Sequence, residues 1–440
     1  MGWQKGEVIM KAEPFAHVLS HRHRQDRCSF CLRRSKTMQC TACKMLRYCS
    51  RDCQRQDWRG AHKQECSCLR RVAPHTPTDS VLLMLRLVLK HMQGEDGAGA
   101  TRDPGLPTFQ HLMSHVGEIE KDAGRCDAFS KMCFTLAKLA GDYMQLPDTK
   151  TLLDIFGKMV INTFTIADEE LRDVGSGVYL SPSCLDHRCT PSAVVTFQGR
   201  TLYVRAVDNI PCADPSQVSQ TVFLSYVDQL APSWERQQQL QQQYYFLCQC
   251  PRCHDSSLDK VMTSGADSTV TDPDDADSQA VKSAINSCQQ TVDRVDQIKK
   301  SSDDIDEILG ACRACLAKVK VVLSSSNVYL LRVLDRAFDA AINSALWEEA
   351  LDYGVATLTP YSELLPPRSP NAGLQLMRVG KLQLWLDRVQ DARHSLSQAE
   401  TIIAVTHGKQ SELYTQLTEL LVQTTLPGGP SQLSGAIESS

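Results

Sequence analysis

The 440-residue sequence lacks any apolar run long enough to cross a membrane. Its one strongly apolar stretch, Val81–Leu89, is about half of the roughly 20 residues a span needs, and Arg86 interrupts it. It reads as a buried helix. Met1–Pro14 contains no unbroken apolar core, so no secretory leader is expected, and Gly6 stands where a myristoylation motif wants Ser or Thr. Aromatic residues are few at 6%, and neither charge sign dominates: 47 Lys+Arg oppose 51 Asp+Glu, for a net charge of −4. These absences exclude membrane-spanning, collagen-like and wholly disordered classes. A soluble intracellular protein of two or three domains is the expectation.

Cysteine is what the sequence has in quantity. Of 19, seven fall between Cys28 and Cys66 and three between Cys248 and Cys253. In a reducing compartment such clusters favour thiolates on zinc over a disulfide framework. The first cluster reads Cys28-x2-Cys31, Cys40-x2-Cys43, Cys49-x3-Cys53 and His62-x3-Cys66, with Tyr48 and Trp58 interleaved. Eight soft donors make two tetrahedral sets, and the spacing favours an interleaved pairing: Cys28, Cys31, Cys49 and Cys53 on one ion, Cys40, Cys43, His62 and Cys66 on the other. A closed ligand shell folds and binds rather than catalyses. Cys68 is left over. The second cluster, Cys248-x-Cys250-x2-Cys253, needs a fourth ligand from elsewhere. Cys189 is the leading candidate, with His254 or a disulfide as alternatives.

Charge and period divide the chain further. Residues 1–90 carry 18 Lys/Arg against 7 Asp/Glu, which leaves an acidic remainder. The basic front is compatible with nucleic acid or an acidic protein surface, or with the ordinary surface of a small zinc module. No recognition-helix pattern is visible, so specific DNA binding is not expected. Helices are expected over Val81–Met92, capped by Asp79 or Ser80, and over Phe109–Glu120 and Ala128–Met144. From Leu152 to Val227 the period turns β-like, with Ala193–Phe197 and Thr201–Val207 joined as a hairpin at Gln198-Gly199. Asp255–Ser278, with seven Asp and one Lys, reads as a disordered linker. Beyond it the pattern is helical to about Val422. Leu331, Leu334, Phe338, Ala341 and Ala345 mark an apolar stripe, and Glu349-Ala350 and Asp391-Ala392 recur in similar contexts, as in stacked tetratricopeptide-like hairpins. Pro427–Ser440 reads as a frayed tail.

The Cys/His order with Tyr48 and Trp58 closely resembles the MYND zinc finger. With Val174–Cys189 (VGSGVYLSPSCLDHRC), Phe223–Tyr226 (FLSY) and the Cys248–Cys253 cluster, the chain resembles the SET and MYND domain family of protein-lysine methyltransferases over nearly its whole length. Lys381-Leu-Gln-Leu and Val405-Thr-His-Gly408 resemble the third vertebrate paralogue in particular. The resemblance implies an α+β fold: a β-rich SET domain split by a MYND finger and a helical insert, followed by an all-α tetratricopeptide-like domain. It divides the chain into an N-terminal SET remnant (1–27), the finger (28–66), the insert (67–150), the SET core (151–227), a post-SET zinc region (228–254), an acidic linker (255–280), the helical domain (281–425) and the tail (426–440).

The same resemblance implies Cys189, Cys248, Cys250 and Cys253 on a third zinc, hence three zinc ions per chain. It implies methyl transfer from S-adenosylmethionine to a lysine of histone or cytoplasmic proteins, with Tyr226 catalytic. Asn162, Asp186, His187, Tyr226 and Phe246 would contact the cofactor, and Phe164 and Tyr244 would wall the lysine channel. Proline-rich peptides would dock on the finger and chaperone tails on the C-terminal helices, in cytoplasm and nucleus. Three differences stand against the family pattern. Lys5–Ile9 opens the chain just after where the Gly-rich cofactor turn would lie, Asp186 replaces an Asn, and Cys212–Val222 replaces a Gly-Glu-Glu stretch. Each touches the cofactor side, where Asp186 loses a donor but could attract the cationic cofactor. The alternative reading is therefore a catalytically weak or inactive zinc adaptor for proline-rich and chaperone partners.

Overall fold

A computed structural model describes residues 2–95, 107–141, 144–211, 218–266 and 276–425. The chain forms two compact units. The first comprises Met1–His187, Ser192–Leu224 and Gln241–Phe246, and the second Arg188–Pro191, Ser225–Leu240 and Leu247–Ser440. The secondary structure is α+β, with small antiparallel sheets and many helices. No helix among the described residues is long and apolar enough to cross a membrane.

The first unit is organised by two three-stranded antiparallel sheets. In one, Thr201–Ala206 lies between Val8–Ala12 and Ala193–Gln198; in the other, Asp173–Val178 lies between Ala16–Leu19 and Thr163–Ala167. The expected 193–207 hairpin is present, and Gly199 turns it at φ +60°. A Cβ there would come within 2.6 Å of the Cys31 carbonyl, so glycine is required by both dihedral and space. The helix Asp79–Met92 packs on the strand Ala16–Leu19, and Val81–Leu89 are buried without a break, Arg86 included. A helix buried on every side belongs to the centre of its unit.

Several expectations change here. Thr78, not Asp79 or Ser80, is the residue before that helix, because the Asp79 carboxylate is occupied outside it, accepting from the His21 amide and from Arg24. Phe109–Glu120 is not one helix. A single turn, Phe109–His111, is separated from the short helix Val116–Ile119 by His115 at φ +50°. The break follows from a neighbour: Gly157 lies so close that a Cβ would meet the Ser114 carbonyl at 2.2 Å. The helix expected at Ala128–Met144 spans Ala123–Ala140 and is capped by Asp122, whose carboxylate accepts from the Arg125 amide. The β-like region begins later than Leu152. Asp148 caps a helix over Thr149–Asn162, whose Leu152, Ile155, Phe156 and Met159 supply a buried face at helical spacing.

The second unit is dominated by successive helices joined by short connections: Ala276–Ser301, Ile305–Val319, Val328–Asn343, Trp347–Leu364, Pro370–Trp385, Val389–Ile403 and Glu412–Gln423. Ala350 and Ala392, the recurring small positions, are both fully buried. Ala345 leaves the apolar stripe, since it is an exposed turn residue at φ +55°. Part of the stretch expected as a disordered linker is folded. Ser257–Met262 is helical, with Met262 fully buried and Asp259 accepting from Ser233, whereas 267–275 lie outside the described residues, as do Cys212–Gln217 and the tail from 426.

Candidate zinc centres and active site

Zinc–thiolate bonds of about 2.3 Å place the corners of a tetrahedron about 3.8 Å apart. Three four-residue sets meet that geometry: Cys28, Cys31, Cys49 and Cys53; Cys40, Cys43, His62 and Cys66; and Cys189, Cys248, Cys250 and Cys253. In the first, Cys31–Cys49 and Cys49–Cys53 sulfur separations are 3.8 and 3.5 Å. In the second, Cys40–Cys66 is 3.8 Å and Cys43 Sγ lies 3.7 Å from His62 Nε2. In the third, Cys189 lies 3.9 Å from Cys248 and 3.5 Å from Cys253. These distances fit tetrahedral zinc and are far beyond the roughly 2.05 Å of a disulfide. Neither Cys68 nor His254 joins a set.

Local backbone brings the ligands in. Each Cys-x2-Cys knuckle of the finger is followed by a left-handed residue, Leu32 at φ +62° and Lys44 at φ +56°, whose amide bonds back to the first cysteine's carbonyl at 2.9 Å. The short strands Met38–Gln39 and Arg47–Tyr48 pair between them. Ser50 then caps the helix Arg51–Asp57 by accepting from the Cys53 amide at 3.2 Å, which orients the fourth ligand of the first set.

The surroundings of the three sets differ. His62 Nδ1 faces Glu65 at 3.0 Å, and Glu65 accepts twice from Arg86. Burial alone would raise the Glu65 carboxyl, but the Arg86 charge and His62 bring it down to about 2. Asp57, which accepts from Tyr48 and Arg86, is instead held above its ordinary value by burial. In the third set the cation acts directly. Arg236, 1% exposed, donates Nε to Cys189 Sγ at 3.3 Å and a terminal nitrogen to Cys253 Sγ at 3.6 Å. Its neighbour Arg252 bonds the carbonyls of Cys189, Gln229 and Leu364.

Aromatic rings gather around the remaining residues of interest. In the first unit the His187 ring lies 6.0 Å from Phe246, which lies 6.5 Å from Tyr244. His187 is held by a parallel bridge to Leu224, whose amide bonds the Asp186 carbonyl at 3.0 Å. Phe164 stands edge-on to Tyr179 at 5.7 Å, and the fully buried Tyr179 donates its hydroxyl to the Arg200 carbonyl. Burial raises the Tyr179 and Tyr244 hydroxyls, so both are neutral donors at physiological pH. Asn162 ends its helix with its amide nitrogen bound to the Met113 and Lys158 carbonyls, so its oxygen is the group directed to accept.

A family model for the MYND finger matches residues 28–66. Over 421 residues the chain is 34% identical to the human histone-lysine N-methyltransferase SMYD3, covering 94% of this chain and 92% of that protein. The mouse SMYD3 is 32% identical over the same shares, and the human N-lysine methyltransferase SMYD2 is 27% identical over 95% and 93%. The chain belongs to the SET and MYND domain family.

Within this SET and MYND chain, the residues singled out by sequence fall into distinct groups. The twelve metal-ligand candidates form three sets. His187, Phe246 and Tyr244 share one aromatic cluster, and Phe164 lies in another with Tyr179 and Phe197. Asp186 is exposed, with its backbone rather than its side chain fixed by Leu224. Tyr226 is half-buried and belongs to the second unit, beside Ser225, whose hydroxyl donates to the Val227 carbonyl. Sequence reasoning missed Tyr179, Glu65, Arg86 as a partner of the finger, and Arg236. For Tyr179 a signal existed, an aromatic directly after the Gly-Ser-Gly strand; for the charged residues the only hint was a cation inside an apolar run.

Proposed function

We propose that this chain is a protein-lysine N-methyltransferase that uses S-adenosylmethionine and acts on lysines of histone or other proteins in the cytoplasm and nucleus. The observation that carries the reading is sequence identity along nearly the whole chain with proteins named as lysine methyltransferases. The donor set suits the cofactor: the Asn162 oxygen and the Asp186 carboxylate are acceptors for a cationic ligand, and the His187–Phe246 pair offers an aromatic face.

When bound, the cofactor supplies a methyl group on a sulfonium, open to in-line displacement by a neutral amine. The protein's part is alignment and exclusion of water. Phe164 and Tyr244 are assigned to wall the lysine channel, where their ring faces would favour an alkyl ammonium. Tyr226 would orient the lysine nitrogen through its hydroxyl. Partners proposed from the family are proline-rich peptides at the finger and chaperone tails at the helical unit.

Radiolabelled methyl transfer to a panel of histone and non-histone peptides tests the proposal, alongside calorimetric titration with S-adenosylmethionine. Transfer that disappears in Tyr226→Phe, with zinc content and melting temperature unchanged, supports it. The absence of both cofactor heat and transfer to any lysine would overturn it in favour of an adaptor.

A further inference from the structure

The finger's second metal set is backed by a chain of buried polar contacts that leaves the finger altogether. His62 presents Nε2 to the cysteines and Nδ1 to Glu65 Oε2 at 3.0 Å. A ring nitrogen that ligates zinc carries no proton, so the other must donate, and a carboxylate acceptor fixes that tautomer. The ring is also boxed edge-on by Tyr48 and Trp58, at 6.0 and 5.8 Å. Glu65 is then gripped at both oxygens by Arg86, with Nε and a terminal nitrogen each at 2.9 Å. The guanidinium's remaining bonds go to Asp57 at 3.2 Å and to the His17 carbonyl at 2.8 Å. Glu65 has no exposed surface, and Arg86 and Asp57 are each 3% exposed.

Asp57, His62 and Glu65 converge closely enough to resemble a metal site themselves. Arg86 occupies that role: its charge sits among the two carboxylates, leaving His62 to the cysteine set. The cation comes from the centre of the helix Asp79–Met92, and its fourth contact lies on the strand Ala16–Leu19.

We propose that Glu65 and Arg86 are positioning residues of the second zinc, and that through them its occupancy sets the order of the helix Asp79–Met92 and of the strand Ala16–Leu19. A buried guanidinium is tolerable only while its acceptors are in place; if His62 is released, Glu65 loses its other partner and the cluster's balance fails. The finger is thereby a structural strut of the sheet beside it as well as a docking module.

The test uses full-length zinc-loaded protein titrated with a chelator while released zinc is followed with a chromogenic dye. Cobalt-substituted protein distinguishes the three-thiolate–histidine set from the two four-thiolate sets by its ligand-field bands. Glu65→Gln is expected to release one of three ions at a chelator concentration about 10- to 100-fold lower, with the other two unmoved. In a His62→Cys background, which needs no tautomer, Glu65→Gln is expected to shift nothing. Glu65→Gln and Arg86→Met combined should shift release by less than the product of their separate effects; if Arg86→Met does not fold, Arg86→Lys takes its place. Stripping the second ion from the unsubstituted protein should speed amide exchange in 79–92 and 16–19. Wild-type release in Glu65→Gln, an equal shift in the His62→Cys background, or unchanged exchange on stripping would each overturn the proposal.

Discussion

Two four-thiolate sets in one chain are served differently. The Cys28 set sits in partly exposed backbone, where a serine cap and main-chain amides supply the hydrogen bonds. The Cys189 set, with two buried ligands against one in the Cys28 set, also receives a whole arginine, aimed at two of its sulfurs. The comparison teaches where a counter-charge is needed. Zinc with four thiolates carries two net negative charges; near solvent water compensates them, whereas in the interior a cation must.

The sharpest way to break that comparison is Arg236→Met. It leaves the buried Cys189 and Cys248 thiolates without their counter-charge, and a cost of about 3–5 kcal/mol is expected, read by denaturant unfolding of the zinc-loaded protein; a loss no larger than that of Ser50→Ala would erase the distinction. Next comes pH, which separates the two units. Burial, with Arg86 and Arg200 nearby, lowers His17 to about 3 in the first unit. The unfolded chain therefore binds more protons, and this contribution is complete above the ordinary histidine pKa and lost as pH falls toward 3. In the second unit burial raises Asp335, which accepts from Tyr361, to about 6. The folded chain there binds more protons, so the penalty is full above pH 6 and vanishes toward pH 4. Asp335→Asn should stabilise the helical unit by about 2–3 kcal/mol at pH 7.5 and by nothing at pH 4, measured by hydrogen exchange in Val328–Asn343. Ser50→Ala should cost about 1 kcal/mol through the lost cap. Smallest is Arg313→Ala: its pair with Glu349 is half-exposed, and a change below about 1 kcal/mol is expected.

What was readable in the sequence follows the range of each constraint. The finger's ligands are close in sequence, so spacing alone could group them. Cys189 lies 59 residues from Cys248 and could only be proposed as the missing ligand. The 193–207 hairpin was legible because its turn and alternation are local. The helix Thr149–Asn162 was missed because its buried face merges directly into the strand starting at Thr163 without a break in apolar content. The 109–120 segment failed for the opposite reason: its pattern suits a helix, but Gly157 brings another helix against Ser114 and forces a turn. Arg86 shows the limit most plainly. Within the sequence it is an interruption, and only the folded chain supplies Glu65, Asp57 and the His17 carbonyl around it.

The turn at Gly199 bears on how this protein can be altered. Hairpin tips are the usual entry points for epitope tags, grafted loops and length variation. This one is braced: Gly199 faces the Cys31 carbonyl, and the Arg200 guanidinium lies 3.8 Å over the Phe30 ring. An insertion there would push on a zinc knuckle. A turn that looks open to insertion is therefore tied to the finger, and lengthening it is expected to disturb the metal site beside it.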